Sequence, residues 1–112
     1  MSIIKKIKGL LFSKSKEGYI PELIALIKLV KSKVTEGSDI IWTKYESDAE
    51  LRKELDIAIN QLQSGNISSL EELNIHFAPT STFQEHSMSN GWVEEYIIIS
   101  TKFDRLYKKI KK

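Results

Sequence analysis

The sequence predicts an all-α fold: a single small domain of four to five helices, with a basic amphipathic helix at the N-terminus and a long helix at the C-terminus. Three observations predict it. Apolar residues recur at helical spacing, most clearly at Trp92, Tyr96, Ile99, Phe103, Leu106 and Ile110, which are 4, 3, 4, 3 and 4 apart. Ser or Thr followed three residues later by Glu precedes several apolar runs, a pattern that satisfies the free N–H groups of a first helical turn. Pro21 and Pro79, with Gly37, Gly65 and Gly91, fall where these runs should start or stop.

Taken in order, residues 1–16 read as a short basic amphipathic helix. Ile3, Ile4, Ile7, Leu10 and Leu11 follow helical spacing, Lys5, Lys6 and Lys8 lie between them, and Gly9 loosens the turn. "SKSKEG" (13–18) reads as a linker to a helical domain over 19–112. Pro21 suits the first residue of the next helix, whose stripe is Ile20, Leu23, Ile24, Ile27, Val30 and Val34, widened by Leu26 and Leu29. Gly37 suits the left-handed residue after its last turn. "SDIIWTKYES" (38–47) reads as irregular or a short helix.

Ser47 and Glu50 predict a capped helix with Leu51, Leu55, Ala58, Ile59 and Leu62 on one face, ended by Gly65-Asn66. Ser69 and Glu72 predict a second capped helix with Leu70, Leu73 and Phe77 inward, stopped by Pro79. Thr82 and Glu85 predict a third, short one, with Phe83 and Met88 on its inner side, and Asn90-Gly91 turning into Trp92. The stiff run "YIIIST" (96–101) suits a strand in isolation, but the long period makes it helical. The predicted core is Trp42, Leu51, Leu55, Ile59, Leu62, Leu73, Phe77, Tyr96, Ile99 and Phe103.

Charge is laid out unevenly. Residues 1–16 hold five lysines and no acid, residues 102–112 hold six bases and one acid, and the body between holds six bases against fourteen acids. An acidic body with basic ends repels DNA over most of its surface, so nucleic acid is not expected as a partner. The chain has no cysteine, which removes disulfides and thiolate chemistry together. No apolar run approaches the roughly 20 residues of a membrane span, and the N-terminal lysines do not precede an apolar run as in a signal peptide. Cytoplasmic placement is expected, with membrane-peripheral placement as the alternative.

Five scattered glycines form no phosphate-binding loop. His76 and His86 are ten apart, without a His-Glu-x-x-His run, and the expectation for both is a surface or capping role. A metal site of His76, Glu85 and His86 is conceivable, but the spacing does not demand it. No metal, no cofactor and no catalytic residue is therefore expected, and the chain is read as a non-enzyme.

"FAPTSTFQEHSMSNGW" (77–92) sets aromatics among hydrogen-bonding side chains, an anchor pattern for a protein partner. The candidate contacts are Thr80, Ser81, Phe83, Gln84, Glu85, His86, Asn90 and Trp92. Together "WTKY" (42–45), "FAPTSTFQE" (77–85) and "SNGW" (89–92) resemble a small family of uncharacterised bacterial all-helical proteins, over about residues 40–104. The resemblance implies a helical fold and a bacterial source, and brings no activity, cofactor or catalytic residue with it.

The function expected is a non-catalytic interaction module that presents an acidic helical surface and the 80–92 corner to a protein, in the manner of an immunity protein or antitoxin. A first alternative is a peripheral membrane adaptor. In it Lys5, Lys6, Lys8, Leu10, Leu11 and Phe12 meet an anionic lipid surface. A second alternative is a small-ligand protein or enzyme that uses Glu85 and His86.

Overall fold

The computed structural model describes residues 16–111. The amphipathic helix expected over 1–16, with Lys5, Lys6, Lys8, Leu10, Leu11 and Phe12, therefore lies outside the described residues apart from Lys16. Among the described residues there are five α-helices and no strand: α1 (Lys16–Lys33), α2 (Asp48–Gln63), α3 (Leu70–Phe77), α4 (Thr82–Asn90) and α5 (Val93–Lys111). None is long and apolar enough to cross a membrane.

Helix α1 packs on both α2 and α5, while α3 and α4 pack on each other and on α5. The seam on α5 is the spine. Trp92, Tyr96, Ile99, Phe103, Leu106 and Ile110 are all buried, as their spacing predicts. Leu23, Ile27 and Val30 of α1, with Val34 just after it, are buried in this core, and Phe77 stacks on Phe103 at 4.3 Å between ring centres. No α-carbons of α2 and α3 approach within 8 Å, so side chains alone span the space between them.

Several helix ends follow the sequence. The Ser47 hydroxyl accepts from the Glu50 N–H at 3.0 Å, and the Glu50 carboxylate reaches the Glu46 N–H, one residue beyond the expected one. Gly65 is left-handed, and the Asn66 N–H bonds Gln61 O at 2.8 Å, which closes the last turn of α2. Gly91 closes α4 in the same way, with the Trp92 N–H on Ser87 O at 3.0 Å.

Other expectations are corrected. Helix α1 begins at Lys16, inside the segment read as a linker, so Pro21 is within the helix and costs one backbone donor. Gly37 is left-handed, but it serves a separate turn closed by the Ser38 N–H on Thr35 O. Leu29 and Met88 are exposed. Ser69 stands at the start of α3 without a capping bond, because Asn66 and Ile67 accept from Ser68 and Leu70 and turn the chain into the helix. Thr82 is the first residue of α4, not its cap, and its hydroxyl is turned inward. Of the ten predicted core residues nine are buried; Trp42 is 71% exposed, because segment 38–47 is an irregular loop that turns Tyr45, not Trp42, into the core.

Candidate functional site

The 77–92 corner is built from α3, a reverse turn and α4. Phe77 ends α3, and Ala78 is extended, as the residue before a proline should be. Pro79 and Thr80 form the turn, closed by the Ser81 N–H on Ala78 O at 3.1 Å. Thr80 has φ +61°, a left-handed backbone that a β-branched residue adopts only under strain. The Gln84 side chain holds it there by accepting the Thr80 N–H at 2.7 Å.

The predicted partner contacts divide. Thr80 is exposed, and Ser81, Gln84, Glu85 and Asn90 are half-buried. Phe83, His86 and Trp92 are buried, so they give no contact area to a partner. Phe83 packs edge-on against Phe77 at 4.7 Å and tilted against His76 at 5.3 Å. Phe83 faces inward, as its place on the helix predicts; the expectation that Phe83 and Trp92 give contact area to a partner fails, because their apolar area closes the core.

Both histidines are likewise buried, against the expectation of surface or capping roles. His86 has no exposure and neither ring nitrogen is free. The Trp92 indole N–H donates to Nδ1 at 2.9 Å, so Nδ1 carries no proton and Nε2–H donates to Ser38 Oγ at 3.0 Å. Burial pushes its pKa down, opposed by Asp39 and Asp48. With both nitrogens engaged and Glu85 half in solvent, the pair offers no acid–base couple to a substrate. Nor do Glu85, His86 and His76 converge as metal ligands.

His86 and Asn90 have another task. The Asn90 amide donates to Asp39 O and its carbonyl accepts the Asp39 N–H, both at 2.8 Å. With the bond to Ser38, the corner grips the first two residues of the 38–45 loop. Inside the loop, the Asp39 carboxylate accepts the Ile41 N–H, and both the N–H and the hydroxyl of Thr43 bond Ile40 O. Tyr45 fixes the far end by burying its ring. Between the two anchors stand Ile41 and Trp42, 70% and 71% exposed.

Tyr45 leads to a second polar centre. Its hydroxyl donates to the Glu54 carboxylate and lies 3.1 Å from His76 Nε2; His76 Nδ1 lies 2.8 Å from Thr82 Oγ1. Burial first, then the Glu54 carboxylate, pushes the phenol pKa well up, so it remains a donor. A phenol that donates to Glu54 can only accept from Nε2–H, which leaves Nδ1 to accept from Thr82. Burial pushes the His76 pKa down, against the pull of Glu54 and Glu72.

The ligand atoms of Glu54, Glu72 and His76 all lie within 4.8 Å of one another. A cavity of about 110 Å³ between α2 and α3 is lined by these three, Ser69, Leu55, Ile57, Ala58 and Leu73. The sequence reading missed this centre because it looked for paired histidines. One signal was present: Glu72 and His76, four apart on a predicted helix, share a face. A larger cleft, about 410 Å³, is separate and carries Asp104 and no histidine.

The basic C-terminus is partly neutralised. Lys111 and Tyr107 both bond Glu71, Arg105 pairs with Glu22, and Lys108 with Asp104. Compared with protein-family models, with curated proteins and with solved structures, the chain matches none. The likeness to a small bacterial family therefore rests on the residues quoted for it.

Proposed function

We propose that the chain is a non-catalytic protein-interaction module whose contact surface is the 38–45 loop, with the 80–92 corner as its mount. The observation that carries this reading is the Ile41–Trp42 pair, exposed on a loop held at one end by hydrogen bonds to Asn90 and His86 and at the other by the buried Tyr45. A loop ordered before binding loses little entropy on docking, and tryptophan is the side chain most enriched among energetically dominant contacts. Nothing in the fold needs Trp42 outside, since a surface loop is ordinarily polar.

Exposed Glu36, Asp39, Glu46 and Glu50 flank the pair in sequence, with Lys44 as the one base of the 36–50 segment. The partner that fits is a protein with an apolar socket rimmed by lysine or arginine. Charge of opposite sign speeds encounter, and the buried tryptophan supplies most of the affinity. An inhibitor of the immunity or antitoxin kind has this form of contact.

The test is site-specific photo-crosslinking in the native host, with the photoreactive residue at exposed position 44 of the same loop, so that Trp42 is kept, and, as a control, at exposed Thr101. A single crosslinked protein from position 44 that is absent from the control supports the reading. For that protein, Trp42→Ala weakens binding by at least about 30-fold, the size of a dominant contact. Equal labelling from both positions, or full binding by Trp42→Ala, overturns it.

A further inference from the structure

We propose that Glu54, Glu72 and His76 form a binding site for a divalent transition-metal ion of the zinc class. Two independent observations carry it. The first is convergence: one imidazole nitrogen and two carboxylates, from two helices, lie within 4.8 Å of one another. Around a tetrahedral ion with bonds of about 2.0–2.1 Å the ligand atoms stand roughly 3.3 Å apart. Glu72 is exposed and Glu54 half-buried, so both carboxylates can close that gap by side-chain rotation.

The second is an orphan. Ser69 lines the same cavity, and its Oγ is closed off from solvent and has no hydrogen-bond partner, the one such side-chain atom among the described residues. Buried hydroxyls are ordinarily bonded, and each exception calls for a reason. Three protein ligands leave a zinc-class ion with an open position for water. A cavity of about 110 Å³ has room for it, and metal-bound water gives Ser69 a partner once its hydroxyl turns toward the cavity.

The imidazole is already supported from behind. Nε2 is the nitrogen on the Tyr45–Glu54 side, so it is the one that meets the ion. Ligation needs its lone pair: the proton leaves Nε2, and Nδ1 becomes protonated and donates to Thr82 Oγ1. The Thr82 hydroxyl accepts as readily as it donates, so it need not move; the Tyr45 hydroxyl, which holds the Nε2 position at 3.1 Å, swings aside to admit the ion. One imidazole with two carboxylates is a ligand set for zinc-class ions; magnesium and calcium take oxygen-only shells of six or more.

The whole chain has two histidines and no cysteine, and His86 is sealed. An untagged protein can therefore bind such an ion through imidazole only here. The test is calorimetric titration of untagged, chelator-treated full-length protein with zinc chloride, and cobalt(II) absorption as a report on coordination geometry. We expect one ion per chain, with Glu72→Gln weakening the affinity at least tenfold at unchanged circular dichroism. His76→Gln should abolish binding and the cobalt spectrum, and Glu94→Gln should leave both unchanged. Absence of one-to-one binding by the parent protein, or equal affinity in Glu72→Gln, overturns the proposal. Glu72 is exposed, so that variant stays informative if His76→Gln fails to fold.

Discussion

His86 and His76 are both buried, yet they lie in different kinds of interior. His86 is enclosed by Trp92, Ser38 and the backbone of its own helix, and each nitrogen has one partner. It is a structural clamp between α4, α5 and the 38–45 loop. His76 has as many hydrogen bonds, but its ring forms one wall of a cavity that two carboxylates share. The first arrangement leaves nothing for a ligand; the second has polar groups to spare. Burial alone does not distinguish a clamp from a site. What separates them is whether the space beyond the last partner is filled by protein.

Phe83 should give the largest effect, since it is fully buried beside His76 on the helix that carries His86. Phe83→Ala removes a fully buried ring held by Phe77 and His76, and we expect a loss of about 3–5 kcal/mol in urea denaturation. A loss near 1 kcal/mol would mean that α4 collapses onto the vacancy, and that the two histidines are less separate than they look.

Acid should act on both regions together. Burial holds both imidazoles below their ordinary pKa, against Glu54 and Glu72 at His76 and Asp39 and Asp48 at His86; Lys44 adds to the lowering at His76. Near pH 6.5 the unfolded chain takes up protons that the folded chain refuses. Stability is therefore complete above that pH and declines below it, by about 1–3 kcal/mol between pH 7 and pH 5. Zinc present throughout should raise stability most at pH 7 and, because ligation keeps the His76 imidazole deprotonated, leave the decline at least as steep. A profile flat from pH 7 to 5 without metal would show that the imidazoles accept protons in place.

The fold was legible where a pattern repeats. The α5 seam is six residues long in the 4-3 rhythm, and no alternative structure puts all six on one side. Trp42 was not legible in the same way. Outside a periodic element an aromatic carries no sign of its direction, and "IIWTKY" looks equally like core and like a display. The capping patterns were half legible: Ser47 caps α2, whereas Thr82 matches the same motif and spends its hydroxyl on His76. Competition from a buried imidazole is tertiary information. The metal-site residues were legible only in part, because Glu72 and His76 share one helix and Glu54 comes from another whose placement no local rule gives.

The smallest effects make the sharpest comparison, because one polar group is removed beside each histidine. Trp92→Phe keeps an aromatic ring and leaves His86 Nδ1 without a donor in a sealed interior; a loss of about 1–3 kcal/mol is expected. Tyr45→Phe takes the hydroxyl from His76 Nε2 and Glu54, but Glu54 is half exposed and His76 borders the cavity. Water can replace that hydroxyl, so the cost should stay below about 1 kcal/mol. Chemical denaturation of the two variants side by side measures the difference directly. If Tyr45→Phe costs as much as Trp92→Phe, the space beside His76 is dry and closed. The two histidines would then be clamps of one kind, and the case for an ion between Glu54 and Glu72 would lose its room.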